Sequence, residues 1–154
     1  MRVDILSKRE FDGLMKSQNI TDENVEKFDS VMFISIVDSD QFSKSREPYF
    51  KENHENVITL AFDDVEHDDL DREFPVKAFT KKQAKELFQF IKKNRELEQC
   101  IVHCLAGISR SGAVGTFVNG YCGGNWELFK RINPHISPNA RVERMLNQEK
   151  YNDF

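Results

Sequence analysis

Cys100-Ile101-Val102-His103-Cys104-Leu105-Ala106-Gly107-Ile108-Ser109-Arg110-Ser111-Gly112 is the stretch on which the fold turns. Cys100 to His103 reads as a buried strand. Ser111 to Cys122 is apolar on most sides, through Ala113, Val114, Phe117, Val118 and Tyr121, and reads as a buried central helix ended by Gly123-Gly124. Between them a cysteine leaves the carboxyl end of a strand and a helix begins. In open α/β sheets that junction is where ligands bind.

The junction suits a tetrahedral dianion. Backbone N–H groups from Leu105, Ala106, Gly107, Ile108, Ser109 and Arg110 can curl around one phosphate, with Gly107 permitting the sharp turn. The helix adds its positive end. The Arg110 guanidinium can grip two oxygens in a bidentate fork. The same field depresses the pKa of the Cys104 thiol, so a thiolate lies ready to attack phosphorus and form a phosphocysteine. Ser111 sits where its hydroxyl can stabilise sulfur as it leaves. His103 fits a supporting role, orienting and tuning the loop. A thiolate alone is insufficient, because the leaving oxygen needs a proton and a water must later be activated; one carboxylic acid does both.

Outward from the loop, strands and helices alternate. Val3 to Leu6 reads as a strand, and Ser7-Lys8-Arg9-Glu10 as a capping box opening a short helix with Phe11 and Leu14 on one face. Thr21 is expected to cap a second short helix, to about Phe28. Ser30 to Val37 is nearly all apolar, as a strand covered on both faces should be. Residues 38–56 read as a polar surface loop and Asn56 to Phe62 as the next strand. An acidic stretch follows, with Asp63, Asp64, Glu66, Asp68, Asp69, Asp71 and Glu73. Thr80-Lys81-Lys82-Gln83 is another capping box, and Ala84, Leu87, Phe88 and Ile91 predict an amphipathic helix over 81–94. Asn125 caps a helix carrying Trp126 and Phe129, both expected in the core. Ser137-Pro138 reads as an N-cap with proline at the first helical position, and Val142, Met145 and Leu146 face inward. The pattern implies a three-layer α/β sandwich with a central, mostly parallel sheet flanked by helices.

At 154 residues the chain is expected to be a single domain, residues 1–154. Its net charge of −4 argues against nonspecific binding to nucleic acid or anionic membranes. Three cysteines do not suggest a disulfide framework; Cys100 and Cys122 read as core residues. Met1-Arg2-Val3-Asp4-Ile5-Leu6 carries charge within its apolar stretch, unlike a secretion signal, so a reduced, cytoplasmic protein is expected. Asp64-Val65-Glu66-His67-Asp68-Asp69 lacks the glycine of a calcium loop. His54, His67 and His135 show no ligand spacing and are expected at the surface. No metal and no cofactor are called for.

His103-Cys104-x-x-Gly107-x-x-Arg110-Ser111 resembles the signature of the cysteine-dependent protein tyrosine phosphatase superfamily. Ala106-Gly107-Ile108-Ser109-Arg110-Ser111-Gly112 and the small size are similar to its compact dual-specificity branch. Ser137-Pro138-Asn139 resembles the Pro-Asn turn before that family's last helix. The resemblance covers roughly residues 30 to 148. It implies a protein tyrosine phosphatase-like fold, Cys104, Arg110 and Ser111 as catalytic residues, and a general acid on the loop after a strand. Phe62-Asp63-Asp64 fits that acid, with Asp64 first choice. Asp64 stands forty residues before Cys104, longer than the family's usual gap, so Asp63, Asp68 and Asp69 remain alternatives.

The variable loop positions Leu105, Ala106, Ile108 and Ser109 are not basic, so the expected substrate is a phosphorylated protein or peptide rather than a polyanion. Phosphotyrosine is expected, and phosphoserine and phosphothreonine too, since a short chain has little with which to build deep walls. The protein is expected to be a monomer with no nucleic-acid or membrane partner. The alternatives are a noncatalytic phosphate-binding module and a phosphatase for a non-protein ester such as a phosphoinositide. A rhodanese-like loop is one residue shorter, and low-molecular-weight phosphatases carry theirs near the amino terminus, so both fit worse.

Overall fold

The runs richest in β-branched residues pair side by side at the centre of the molecule, as such side chains favour. The structure is a computed structural model and describes residues 1–40, 43 and 46–154. Its strands are β1 (Arg2–Ser7), β2 (Val31–Val37), β3 (Val57–Ala61) and β4 (Gln99–Cys104), in the order β1-β4-β2-β3. Every pairing is parallel, where a mostly parallel sheet was expected. The helices are α1 (Lys8–Ser17), α2 (Lys81–Lys93), α3 (Arg110–Tyr121), α4 (Trp126–Ile132) and α5 (Ala140–Asn152).

The two-residue period of the strands divides the core. Ile5, Ile34, Leu60 and Val102 face a large cluster that α2, α3 and α5 complete. Phe33, Val57 and Ile101 point the other way, onto Phe11 and Met15 of α1 and onto Phe50. The result is the expected three-layer α/β arrangement. Ser7, Thr80 and Asn125 cap their helices as the sequence predicts, the first two in full capping boxes.

Both edges of the sheet are blunted by side-chain amides. On β1, Asn133 Oδ1 accepts the Ile5 N–H at 2.9 Å and its Nδ2 donates to the Val3 carbonyl at 2.8 Å. On β3, Asn53 accepts the Thr59 N–H and Gln83 donates to the Ala61 carbonyl. Occupied edge groups cannot template pairing with another chain.

Four expectations are corrected. The helix expected from Thr21 is one 3₁₀ turn, Val25–Lys27, because Asn24 bonds the Thr21 N–H and the Asn19 carbonyl and holds the chain in turns. The last helix is capped by Asn139, whose Oδ1 accepts from Val142 N–H at 3.1 Å, so Ser137-Pro138 lies outside it. Trp126 is 45% exposed rather than core, since the seven-residue α4 turns only Phe129 fully inward. The surface loop expected over 38–56 is partly interior. Residues 41, 42, 44 and 45 lie outside the described residues, but Phe50 is fully buried, and Asp22 binds the Lys51 and Glu52 N–H groups and His54 Nε2, which leaves His54 half-buried. Among the described residues no helix is long and apolar enough to cross a membrane.

Candidate active site

Alternation along β4 sends His103 and Cys104 to opposite faces. The His103 ring lies 4.2 Å from the Phe11 ring on the α1 side. Cys104 enters the α3 side and is buried. His103 Nδ1 lies 3.2 Å from the Cys104 carbonyl. Burial above all pushes its pKa down to about 4, so the ring is neutral at pH 7 and cannot serve as an acid.

The loop after Cys104 has its carbonyls turned outward. Leu105 O accepts from Lys8 N–H at 3.1 Å, Ile108 O from Ser137 N–H at 3.0 Å, and Ser109 O from Asn139 N–H at 3.0 Å. That leaves donors inward. Gly107 N–H reaches the Cys104 sulfur at 3.3 Å, and the Ser111 and Ile108 N–H groups lie where they favour its charged form. Gly107 makes the turn in the left-handed region, at φ +72°, and packs so closely on Leu6 and Ser7 that a Cβ there would stand 2.5 Å from backbone atoms. Ser111 Oγ is 3.1 Å from the sulfur. Burial raises the thiol, but the Ser111 hydroxyl and N–H, the Arg110 charge and the Ile108 N–H outweigh it, and the net shift is downward.

Arg110 opens α3 and is buried. Its Nη1 donates to Asp38 Oδ1 and to the Phe62 carbonyl, both at 2.8 Å. Nε is buried and has no partner among the described residues. A buried unpaired donor is costly, and an oxyanion beside it removes that cost.

The four acidic candidates separate by geometry. The Asp63 carboxylate is buried and occupied by the Ser39 N–H and hydroxyl and by Lys77 N–H. Asp68 accepts from Ala78 N–H at 2.7 Å. Asp69 forms a backbone bridge with Val76. Asp64 alone of the four bonds the loop after Cys104: its Oδ1 accepts from Ser109 Oγ at 2.7 Å, and also from Asn139 Nδ2 at 2.9 Å. The Asp69–Val76 bridge closes a hairpin-like excursion, and that excursion accounts for the long gap between Asp64 and Cys104. Asp64 and Arg110 share a cleft of about 410 Å³ with Asp38, Asp40, Asp63 and Arg72.

Sequence reasoning missed Asp38, Asn139 and Arg141. Asp38 follows β2 directly, and the register of β2 on β3 and β4 brings it to the same sheet end as Phe62 and Cys104. That adjacency was the available signal. Arg141 donates to the Phe79 and Glu66 carbonyls and so clamps the acidic segment from α5; nothing in the sequence marks it.

No protein-family model matches the chain, and no curated protein matches it. Solved structures do. PTPMT1 in complex with PI(5)P superposes with a TM-score of 0.50 at 15% identity, covering 99% of this chain and 95% of that one. A human DUSP28 variant gives 0.48 at 18% identity, over 85% and 82% of the two chains. Tk-PTP in its active form gives 0.45 at 18% identity, over 98% and 92%. The likeness to PTPMT1 is one of fold, and the fold is protein tyrosine phosphatase-like.

Proposed function

We propose that the protein is a phosphomonoester hydrolase working through a phosphocysteine, in the manner of the dual-specificity branch of the tyrosine phosphatases. The observation that carries this reading is a sulfur with a lowered pKa beneath converging N–H groups, beside a buried arginine with an unpaired donor. In the first step the Cys104 thiolate attacks phosphorus. The S–P bond forms as the P–O bond breaks, and Asp64 gives its proton to the departing oxygen. Arg110 and the loop N–H groups hold the equatorial oxygens, where charge accumulates. In the second step water attacks phosphorus, Asp64 takes its proton, and sulfur leaves toward the Ser111 hydroxyl. His103 orients the loop through the Cys104 carbonyl.

Phosphoprotein is the preferred substrate. Leu105 and Ile108 present apolar surface at the rim, 50% and 40% exposed. The cleft beside Arg110 carries four carboxylates against two arginines. Such a mouth suits one phosphate on an uncharged body and disfavours further phosphates. A phosphoinositide substrate is the second reading, favoured by the PI(5)P in the matched PTPMT1 structure.

The test is turnover of p-nitrophenyl phosphate by the wild type and by Cys104→Ser. Activity only in the wild type is expected. An active Cys104→Ser protein sinks the mechanism, and an inert wild type favours a noncatalytic phosphate-binding module. Phosphotyrosine and phosphothreonine peptides compared with phosphoinositides then decide the substrate; turnover of lipid alone overturns the protein reading.

A further inference from the structure

Among the described residues, the carboxyl group of Asp64 is held by one oxygen only. Ser109 Oγ and Asn139 Nδ2 both donate to Oδ1. The orientation of the Asn139 amide is fixed independently, because its Oδ1 accepts the Val142 N–H as the cap of α5. The nitrogen must then face Asp64, and an amide nitrogen can only donate. Oδ1 is therefore the acceptor oxygen of the carboxyl group. When Asp64 is protonated, its proton belongs on Oδ2.

We infer that Ser109 and Asn139 are positioning residues that select Oδ2 of Asp64 as the proton-carrying atom and hold its orientation through the reaction. The inference rests on the phosphatase reading above. As the P–O bond breaks, the Oδ2–H bond breaks with it and the proton passes to the leaving oxygen. The charge left on the carboxylate strengthens the two donated bonds at Oδ1, since bonds to an ionised acceptor are shorter and stronger. In the second step the attacking water returns a proton to Oδ2.

Both positioning residues are tied to the phosphate loop. Ser109 belongs to it, and Asn139 N–H donates to the Ser109 carbonyl at 3.0 Å. The acid and the anion cradle are thus referred to one rigid frame. Asp64 itself is exposed, so without these bonds its side chain would be free to rotate into solvent.

The experiment compares p-nitrophenyl phosphate, whose leaving group needs little proton assistance, with phenyl phosphate, which needs much. The proteins are the wild type, Asp64→Asn, Ser109→Ala, Ser109→Thr and Asn139→Asp. Asn139→Asp keeps an oxygen for the α5 cap, removes the donor and sets a second carboxylate beside Asp64 Oδ1, so Ser109→Ala, which adds no charge, is read alongside it. Ser109→Ala and Asn139→Asp should each lower kcat roughly tenfold more on phenyl phosphate than on p-nitrophenyl phosphate, a part of the effect of deleting the acid. Ser109→Thr, which keeps the hydroxyl, should restore the wild-type ratio. A change in loop geometry alone would depress both substrates alike. Equal losses on the two substrates, or none, overturn the inference and leave the phosphatase reading intact. If Asp64→Asn shows no leaving-group selectivity, the acid itself is misassigned and the inference falls with it. If Asn139→Asp does not fold, Ser109→Ala against Ser109→Thr decides. A wild type inert on both substrates removes the phosphatase reading and the inference together.

Discussion

Gly107→Ala is the substitution whose consequence the structure defines most sharply. Gly107 sits at φ +72°, where an L side chain costs about 1 kcal/mol or more. Its added Cβ would lie 2.5 Å from Leu6 C and Ser7 N and 2.7 Å from Leu6 O. These are backbone atoms at the β1–α1 junction, and no rotamer change relieves the overlap. The loop must withdraw by about an ångström, since ordinary carbon contacts begin near 3.5 Å. Withdrawal breaks the Lys8 N–H bond to Leu105 O, now 3.1 Å, at a further loss of about 1 kcal/mol. The expected destabilisation is about 2–4 kcal/mol. Gly123 supplies the control. It has φ +68° and nothing within 4 Å of an added Cβ, so Gly123→Ala should cost about 1 kcal/mol from backbone conformation alone. Urea denaturation of the two variants reads the difference, and vanadate titration of the folded proteins reads the cradle. Gly107→Ala should lose vanadate affinity while Gly123→Ala keeps it. If the two variants prove equally stable and equally good at binding vanadate, the loop is not braced against β1 and α1.

Two further predictions concern parts remote from the reacting atoms. Asn133→Ala leaves the Ile5 N–H and the Val3 carbonyl unpaired on the β1 edge, and urea denaturation should show a loss of about 2–4 kcal/mol; a loss under about 0.5 kcal/mol would mean the edge needs no cap. His103 is buried neutral with its pKa held at about 4, whereas the unfolded chain protonates it near pH 6.5. Between those values the unfolded state binds the extra proton, so stability is full above about pH 6.5 and falls as the pH drops toward 4, by up to about 3 kcal/mol. His103→Gln should flatten that part of the curve, and an unchanged slope in urea denaturation at pH 4.5 to 7 would show that other groups govern it.

The parts legible in sequence were those encoded by neighbours along the chain. Strands β2 and β4 announced themselves as short apolar runs, and Ser7, Thr80 and Asn125 announced the helices they cap. The loop from Cys104 to Ser111 was legible because its chemistry is contiguous. What escaped depended on pairs far apart in sequence. Asp38 reads as the first polar residue of a loop until the sheet sets it against Arg110, seventy-two positions away. Asn139 looked like part of a turn whose cap was Ser137, because Ser-Pro is a strong local helix-start signal; the hydrogen bond from Ser137 N–H to the Ile108 carbonyl keeps that residue outside the helix. The choice among Asp63, Asp64, Asp68 and Asp69 had no local solution either. Four carboxylates within seven residues differ only in which donors the fold brings to each.

Strand order explains why those donors converge. The chain lays down β1, β2 and β3, and then inserts β4 between β1 and β2. Because all four strands run parallel, the carboxyl ends of β1, β2 and β3 surround the loop that leaves β4. Each contributes one bond to it: Lys8 N–H from beyond β1, Asp38 from beyond β2 and the Phe62 carbonyl from beyond β3. Register decides the rest. His103 pairs with Leu6 and Cys104 with Ser7, and side chains alternate faces. A slip of one residue in β4 would turn Cys104 onto Phe11 and send His103 toward Ser111, exchanging a thiol whose pKa is lowered for a buried neutral ring. The apolar alternation of Cys100, Val102 and Cys104 on one face and Ile101 on the other opposes that slip, because it would move the cysteines and Val102 away from α2 and α3. The hydrophobic pattern that folds β4 is therefore also what aims the sulfur.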